Sequence, residues 1–369
     1  MREAVHCIAQ EIGERLGGSD AEHRTAEYMA RRFRALGLQT DVQRFGFIGW
    51  RIDQWPSLEI LSPDQISIEA APLLYSASTP PEGVTGTLIH RGRTSLVPGV
   101  MDMPIYDVVL DDGERVASLV AELNGPAIPL LNPRPMLQIP QVVIGLDDSI
   151  RLDALLAKGP VRARLNLRAC VVPEATAYNV ICHARNPEAQ RRLIISAHLD
   201  TTLNTPGAYD NASGLGALIE LAQMVQDIDT PDGVDLIAFA CEEIGFLGSA
   251  YYVNDLLERD LLHGIMACIN LDMVSGGEEL WAWAGPDDFR EKLTQILSRT
   301  EIAAQYPLRV GPQRAGGDDW NFHIHGIPGT TMLLWRQEVY HKPTDTVDKV
   351  DWQRINGMVN ATLAIIREV

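Results

Sequence analysis

The sequence lacks paired cysteines, long apolar runs and a basic excess, and each lack closes a class of function. Its five cysteines, Cys7, Cys170, Cys182, Cys241 and Cys268, are odd in number, scattered and without a CxxC spacing. That excludes a zinc finger or a thioredoxin-type motif and fits reduced thiols. A cytoplasmic protein is therefore expected, although a secreted chain trimmed of its leader would carry the same pattern. No stretch approaches the ~18 apolar residues that a membrane-spanning helix needs, so no membrane partner is expected. The opening MREAVHCIAQEIGERL is charged and amphipathic, unlike a signal peptide. Lys and Arg number 31 against 49 Asp and Glu, a formal net charge of −18. Without a basic stripe to neutralise phosphates, no nucleic-acid partner is expected. GxSxG, HExxH, P-loop and GxGxxG motifs are missing too, which leaves serine hydrolases, thermolysin-like enzymes and nucleotide binders without support.

What is present is organised in three textures. Residues 18–45 read as a helix followed by a strand: Ser19 and Asp20 are cap candidates, and Ala26, Met29, Ala30 and Phe33 recur at helical spacing. Gly37 then closes the helix and LQTDVQRF alternates. From 62 to 167, short β-like runs (LLYSAS, VTGTLIH, QVVIGL, VRARLNLRA) are separated by Pro and Gly clusters, with SIRLDALLAKG as one helix. The Pro-rich NGPAIPLLNPRPMLQIP favours loops. After residue 178 the pattern becomes strand, loop, helix, repeated. LIISA, VDLIAFA, IMACINL and TTMLL are the continuous apolar runs of strands covered on both faces. The fold class expected is α/β: a mixed, largely parallel central sheet flanked by helices. Residues 1–61 and 168–369 would form this layer, and 62–167 a small inserted β-rich domain.

In such sheets ligands bind beyond the carboxyl ends of the strands. There RLIISA runs into His198-Leu199-Asp200, VDLIAFAC into Glu242-Glu243, and IMACINL into Asp272. Asp210 stands in a Gly-rich loop, and His341 follows Tyr340 after the last strand. Singly, each has an ordinary use, as a hydrogen-bonded pair, a helix cap or a charge on a helix dipole. Jointly, two His and three carboxylates collected at one sheet end suit a pair of zinc ions with one carboxylate bridging.

The motifs SAHLDTT, PGAYDNASG, CEEIGFLGS, NLDMV and YHKPTDT, in this order and spacing, resemble the co-catalytic two-zinc aminopeptidases. Relatives of that family include glutamate carboxypeptidase, glutaminyl cyclase and the transferrin receptor. The resemblance covers nearly the whole chain. It implies that His198 and Asp272 hold one zinc, Glu243 and His341 the other, and that Asp210 bridges, with cobalt or manganese as alternative metals. Glu242 would be the general base, Asp200 would orient His198, and Tyr340 would donate to the developing oxyanion. A cis peptide is implied after Asp210. IPQVVIGLDDSIRLDALLAKG resembles part of a protease-associated domain inserted in the peptidase. Where the family often has Ser-Asp-His before an aromatic, this chain has Gly317-Asp318-Asp319, which bears on the substrate pocket rather than the metals.

The expected activity is removal of N-terminal residues from a peptide substrate. A carboxypeptidase or dipeptidase on the same metals is the alternative, with Arg309, Arg314, Arg336 and Lys342 available to hold a free carboxylate. A non-catalytic binding protein of the transferrin-receptor type is the remaining reading. Trp281, Trp283, Trp320, Phe322 and Trp335 lie near the motif loops as pocket candidates. No pattern specifies an oligomeric state.

Overall fold

The computed structural model describes residues 1–95, 102–132 and 138–369. The chain divides into two compact units, one of Met1–Phe47 with Thr176–Val369, the other of Ile48–Ala175. The units divide at 47/48 and 175/176, where the sequence suggests 61/62 and 167/168; both pairs of positions lie within the same two long strands, Gln39–Ser62 and Val161–Arg185. Gly46, Gly49 and Pro173 stand close to these junctions, yet the strands run through them without a turn.

In the first unit, helix α1 (Asp20–Ala35) starts at Ser19, whose hydroxyl accepts the Glu22 N–H at 3.2 Å. It ends in a Schellman turn: Gly37, at φ +76°, donates to Arg34 O, and Leu38 donates to Phe33 O. Its buried face carries Ala26, Met29, Ala30 and Phe33, as the spacing predicts. The six strands after residue 190 are β1 (Arg192–His198), β2 (Gly233–Phe239), β3 (Ile265–Leu271), β4 (Leu280–Gly285), β5 (Leu308–Pro312) and β6 (Gly329–Leu334). Their order is β5-β4-β6-β3-β1-β2. The contacts of β1 with β2 and β3, and of β3 with β6, are parallel, whereas β4 runs antiparallel to β6. The end of Val161–Arg185 closes the other edge, antiparallel to β2.

All seven residues of β2 are buried, as a strand covered on both faces requires. The covering helices include α2 (Ser213–Met224), α3 (Leu247–Glu258), α4 (Asp287–Leu297) and α5 (Trp352–Glu368). Asp351 caps α5 by accepting from Gln353 and Arg354. Because β2 and β3 flank β1 on opposite sides, successive crossovers diverge at its carboxyl end and open a crevice there.

The second unit is built from strands that pair among themselves, including Val84–Ser95, Asp102–Val109, Arg115–Ala121 and Gln141–Ile144. Helix Leu146–Leu156 packs on them, around a core that includes Leu58, Leu88, Tyr106, Leu119, Val142 and Leu152. Among the described residues, none of the strands within 62–160 pairs with β1, β2, β3 or β6. The Pro-rich stretch holds one short strand, Leu130–Leu131, and its residues 133–137 lie outside the described residues.

Candidate metal centre

The parallel strands deliver their side chains to one place. His198 is the last residue of β1, Asp272 follows β3 directly, and Glu242-Glu243 lie three residues beyond β2. His198 is 1% exposed, and its Nε2 lies 3.0 Å from Asp210 Oδ1 and 3.2 Å from Asp272 Oδ1. His341 Nε2 lies 3.1 Å from Glu243 Oε2 and 3.5 Å from Asp210 Oδ2. The result is two groups, His198–Asp210–Asp272 and Asp210–Glu243–His341, with Asp210 common to both. Ligands of a tetrahedral zinc at bond lengths near 2 Å are about 3.3 Å apart. The observed separations bracket that value, so the donors fit two ions without rearrangement.

The charge balance points the same way. Asp210, Glu243 and Asp272, with Glu242 beside them, gather buried carboxylates around two imidazoles. Burial disfavours a protonated His198, yet the charges of Glu242 and Asp272 outweigh it and raise its pKa well above the ordinary value. Burial opposes His341 in the same way, and Glu243 and Asp210 nevertheless raise it to about 10. Burial also works against the Asp210 carboxylate, but its bonds to the two imidazoles hold its pKa below the ordinary range. Carboxylates this concentrated call for cations, and a mixed imidazole–carboxylate set suits zinc.

Buried groups fix these donors. Asp200 is fully buried; its Oδ1 accepts the Glu242 N–H at 2.9 Å and its Oδ2 the Glu243 N–H at 3.1 Å. His198 Nδ1 lies 3.1 Å from the Asp200 carbonyl oxygen and 3.4 Å from Oδ1, which leaves Nε2 free to face the site. Thr202 N–H donates to Glu243 Oε1. The Asp210–Asn211 peptide is cis. Asn211 ties the loop down by donating to Leu271 O and accepting from Gly214 N–H.

Two further buried charges had no role in the sequence reading. Asp345 accepts the N–H groups of Tyr209 and Asp210, at 2.6 and 3.0 Å. Arg15 donates to the carbonyls of Leu199, Pro206 and Gly207, clamping the loop between His198 and Asp210. Left-handed backbone recurs in the same loops, at Cys241 (φ +60°), Met273 (φ +51°) and His341 (φ +54°).

The Tyr340 ring stacks on His341, with centroids 3.8 Å apart. Burial and the charges of Glu243 and Asp210 push its pKa well above normal, so its hydroxyl remains a proton donor. Trp281 and Trp283 pack half-buried against Tyr209, Met273, Leu333 and Val339, and Trp335 lies 4.8 Å from Tyr340. Phe322 is not a pocket residue: it is fully buried among Phe239 and Tyr252. Asp319, which stands where the family often has histidine, accepts from Thr331 and Gln313, and Asp318 accepts from Ser249. Most of the cations proposed for carboxylate recognition are engaged elsewhere. Arg309 forms two bonds with Glu279, Arg336 donates to Lys349 O, and Lys342 donates to Gln337 O.

Comparison with known proteins agrees with this geometry. Residues 179–366, just over half of the chain, match the family model described as Peptidase family M28. The Bacillus subtilis protein named Aminopeptidase YwaD is 26% identical, over 98% of this chain and 82% of its own length. Two solved structures share the fold over the whole chain. One is a zinc aminopeptidase from Bacillus subtilis (TM-score 0.74, 22% identity, 93% of that chain covered). The other is a peptidase M28 precursor from Shewanella amazonensis (TM-score 0.78, 19% identity, 92% covered).

Proposed function

The chain belongs to peptidase family M28, and on that premise we propose how its site works and which chain end it recognises. It is a zinc-dependent exopeptidase, an aminopeptidase that removes N-terminal residues from peptides. The observation that carries the site is Asp210, whose two oxygens reach both imidazoles, at 3.0 and 3.5 Å. His198 and Asp272 would hold one zinc and Glu243 and His341 the other, with Asp210 shared. Bound there, zinc would polarise the scissile carbonyl and bring the pKa of a water toward neutrality.

The remaining work belongs to the chain. Among the described residues no protein hydrogen bond engages the Glu242 carboxylate, and burial raises its pKa well above normal. It is thus suited to take a proton from the attacking water and pass it to the leaving amine. Tyr340 donates to the carbonyl oxygen as charge develops there. Asp200 orients His198 and holds the backbone of Glu242 and Glu243. With Arg309, Arg336 and Lys342 committed to other partners, recognition of a free amine is favoured over recognition of a free carboxylate. Ile48–Ala175 is read as a protease-associated domain on its β-rich make-up, and the unpaired thiols fit a reducing, cytoplasmic setting.

Paired substitutions test the site. Glu242→Gln should lower turnover of aminoacyl anilides by at least ~10²-fold while the zinc content stays near that of the wild type. Glu243→Gln should lose metal together with activity. Zinc loss in the first variant and not in the second would reverse the two roles, and full activity of Glu242→Gln would remove the mechanism. Carboxyl-blocked and amino-blocked dipeptides distinguish the chain end: cleavage of only the amino-blocked one would favour the carboxypeptidase.

A further inference from the structure

We propose that Glu22, on the first turn of α1, is a positioning residue for Glu242, holding the backbone turn that aims this carboxylate. The inference rests on Glu242 being the general base. Glu22 is 1% exposed and occupies the third position after the Ser19 cap. In a capping box its carboxylate would return to the Ser19 N–H. Here the Ser19 N–H donates to Leu16 O instead. Glu22 Oε2 accepts from Gly18 N–H at 2.6 Å, and Oε1 accepts from Cys241 N–H at 2.9 Å, on the turn that leads out of β2.

Asp200 takes the next two amides, so the successive N–H groups of Cys241, Glu242 and Glu243 each end on a buried carboxylate oxygen. Cys241 is left-handed, at φ +60°, a conformation that persists only where the surroundings hold it. Packing is a second, independent brace: a Cβ on Gly17 would lie 2.9 Å from Cys241 Sγ and 3.3 Å from its Cα. Since no protein hydrogen bond among the described residues holds the Glu242 carboxylate itself, its direction is inherited from this turn. A helix cap could use an exposed carboxylate. Burying one within the field of Asp200 is costly unless its bonds are needed.

The test compares Glu22→Gln and Glu22→Ala with Ser19→Ala, which weakens the same helix start and leaves the acceptor of Cys241 in place. The Glu22 variants should lose at least about tenfold in kcat, with KM and zinc content unchanged, as misplacement of a reacting group does. Ser19→Ala should lower Tm and keep kcat. If the Glu22 variants do not fold, Gly17→Ala presses on the same turn and should give the same loss in kcat. Wild-type kcat in a folded Glu22 variant, or in Gly17→Ala where that is the variant read, overturns the proposal. So does a loss of zinc in step with kcat, which would place the effect on Glu243. Glu242→Gln, run alongside, separates the two failures. If it keeps full turnover, the base assignment falls and takes the inference with it. If it is inactive while Glu22→Gln is fully active, only the inference falls.

Discussion

Replacing Asp200 with Asn would separate two tasks that its carboxylate performs. Both oxygens accept a backbone N–H, at 2.9 and 3.1 Å. Asparagine offers one oxygen and turns an amide NH2 toward the other donor. Losing a bond to a charged acceptor and stranding a buried N–H costs about 1.5–3 kcal/mol, which should appear as lower stability. The second task concerns His198, whose Nδ1 contacts the Asp200 carbonyl oxygen at 3.1 Å and the carboxylate at 3.4 Å. The carbonyl survives the substitution, so the ring keeps its orientation and loses only the nearby charge. Removing a group behind a metal-bound histidine weakens metal binding 10–100-fold, and the retained carbonyl argues for the lower end, about tenfold or about 1.4 kcal/mol. Zinc competition against a chromogenic chelator reads the affinity, and activity against free zinc shows how much turnover returns at saturation. Unchanged zinc affinity would refute a role for the carboxylate at His198. A loss beyond a hundredfold would refute the claim that the carbonyl secures the ring.

His183, bonded through Nδ1 to Asp235 and through Nε2 to Asp41 with Arg192 alongside, has a raised pKa, mainly from the Asp235 bond. Its contribution to stability is full below the ordinary histidine value of about 6.5 and is lost as pH rises through the raised one. His183→Gln should therefore lower Tm more at pH 6 than at pH 9, and equal losses at both would contradict this. Gly248→Ala would set a Cβ 2.3 Å from Ala240 O and 2.4 Å from Asn179 Oδ1, both buried. It should destabilise by about 1–3 kcal/mol or more in urea, and an unchanged midpoint would show that the strand end can give way. Arg309→Ala breaks an exposed pair with Glu279 and should leave hydrolysis of N-terminal substrates unchanged. Loss of a carboxypeptidase activity in that variant would revive the rival specificity.

The features legible in the sequence were those carried by position along strands. His198, Glu242, Glu243 and Asp272 stand at or just beyond strand ends, and the structure brings them together with Asp210 and His341. The helix from Asp20, with Ser19 as its cap, is where the spacing of Ala26, Met29, Ala30 and Phe33 puts it. Buried charge was not legible. Arg15 reads as one more cation on an amphipathic start, Glu22 as an ordinary acidic residue in a helix's first turn, and Asp345 as a polar loop residue. Their partners are mostly backbone amides and carbonyls far along the chain, which leave no mark in residue type. The exact unit junctions were not legible for a related reason: Gln39–Ser62 and Val161–Arg185 pass from one unit to the other as continuous strands, with no turn to fix the position.

Cys241, Met273 and His341 adopt a backbone that glycine or asparagine would take at little cost, and each non-glycine residue there gives up about 1–2 kcal/mol. Such a penalty is kept only where the side chain or its exact register is wanted. In a lineage that stopped hydrolysing peptides, selection on Cys241 and Met273 would lapse. Glycine or asparagine should then drift into these two positions, and the fold would grow more stable as it lost its chemistry. Cys241 and Met273 are not themselves metal donors. Their replacement would record the loss of catalysis in a descendant whose ligand residues were still all in place.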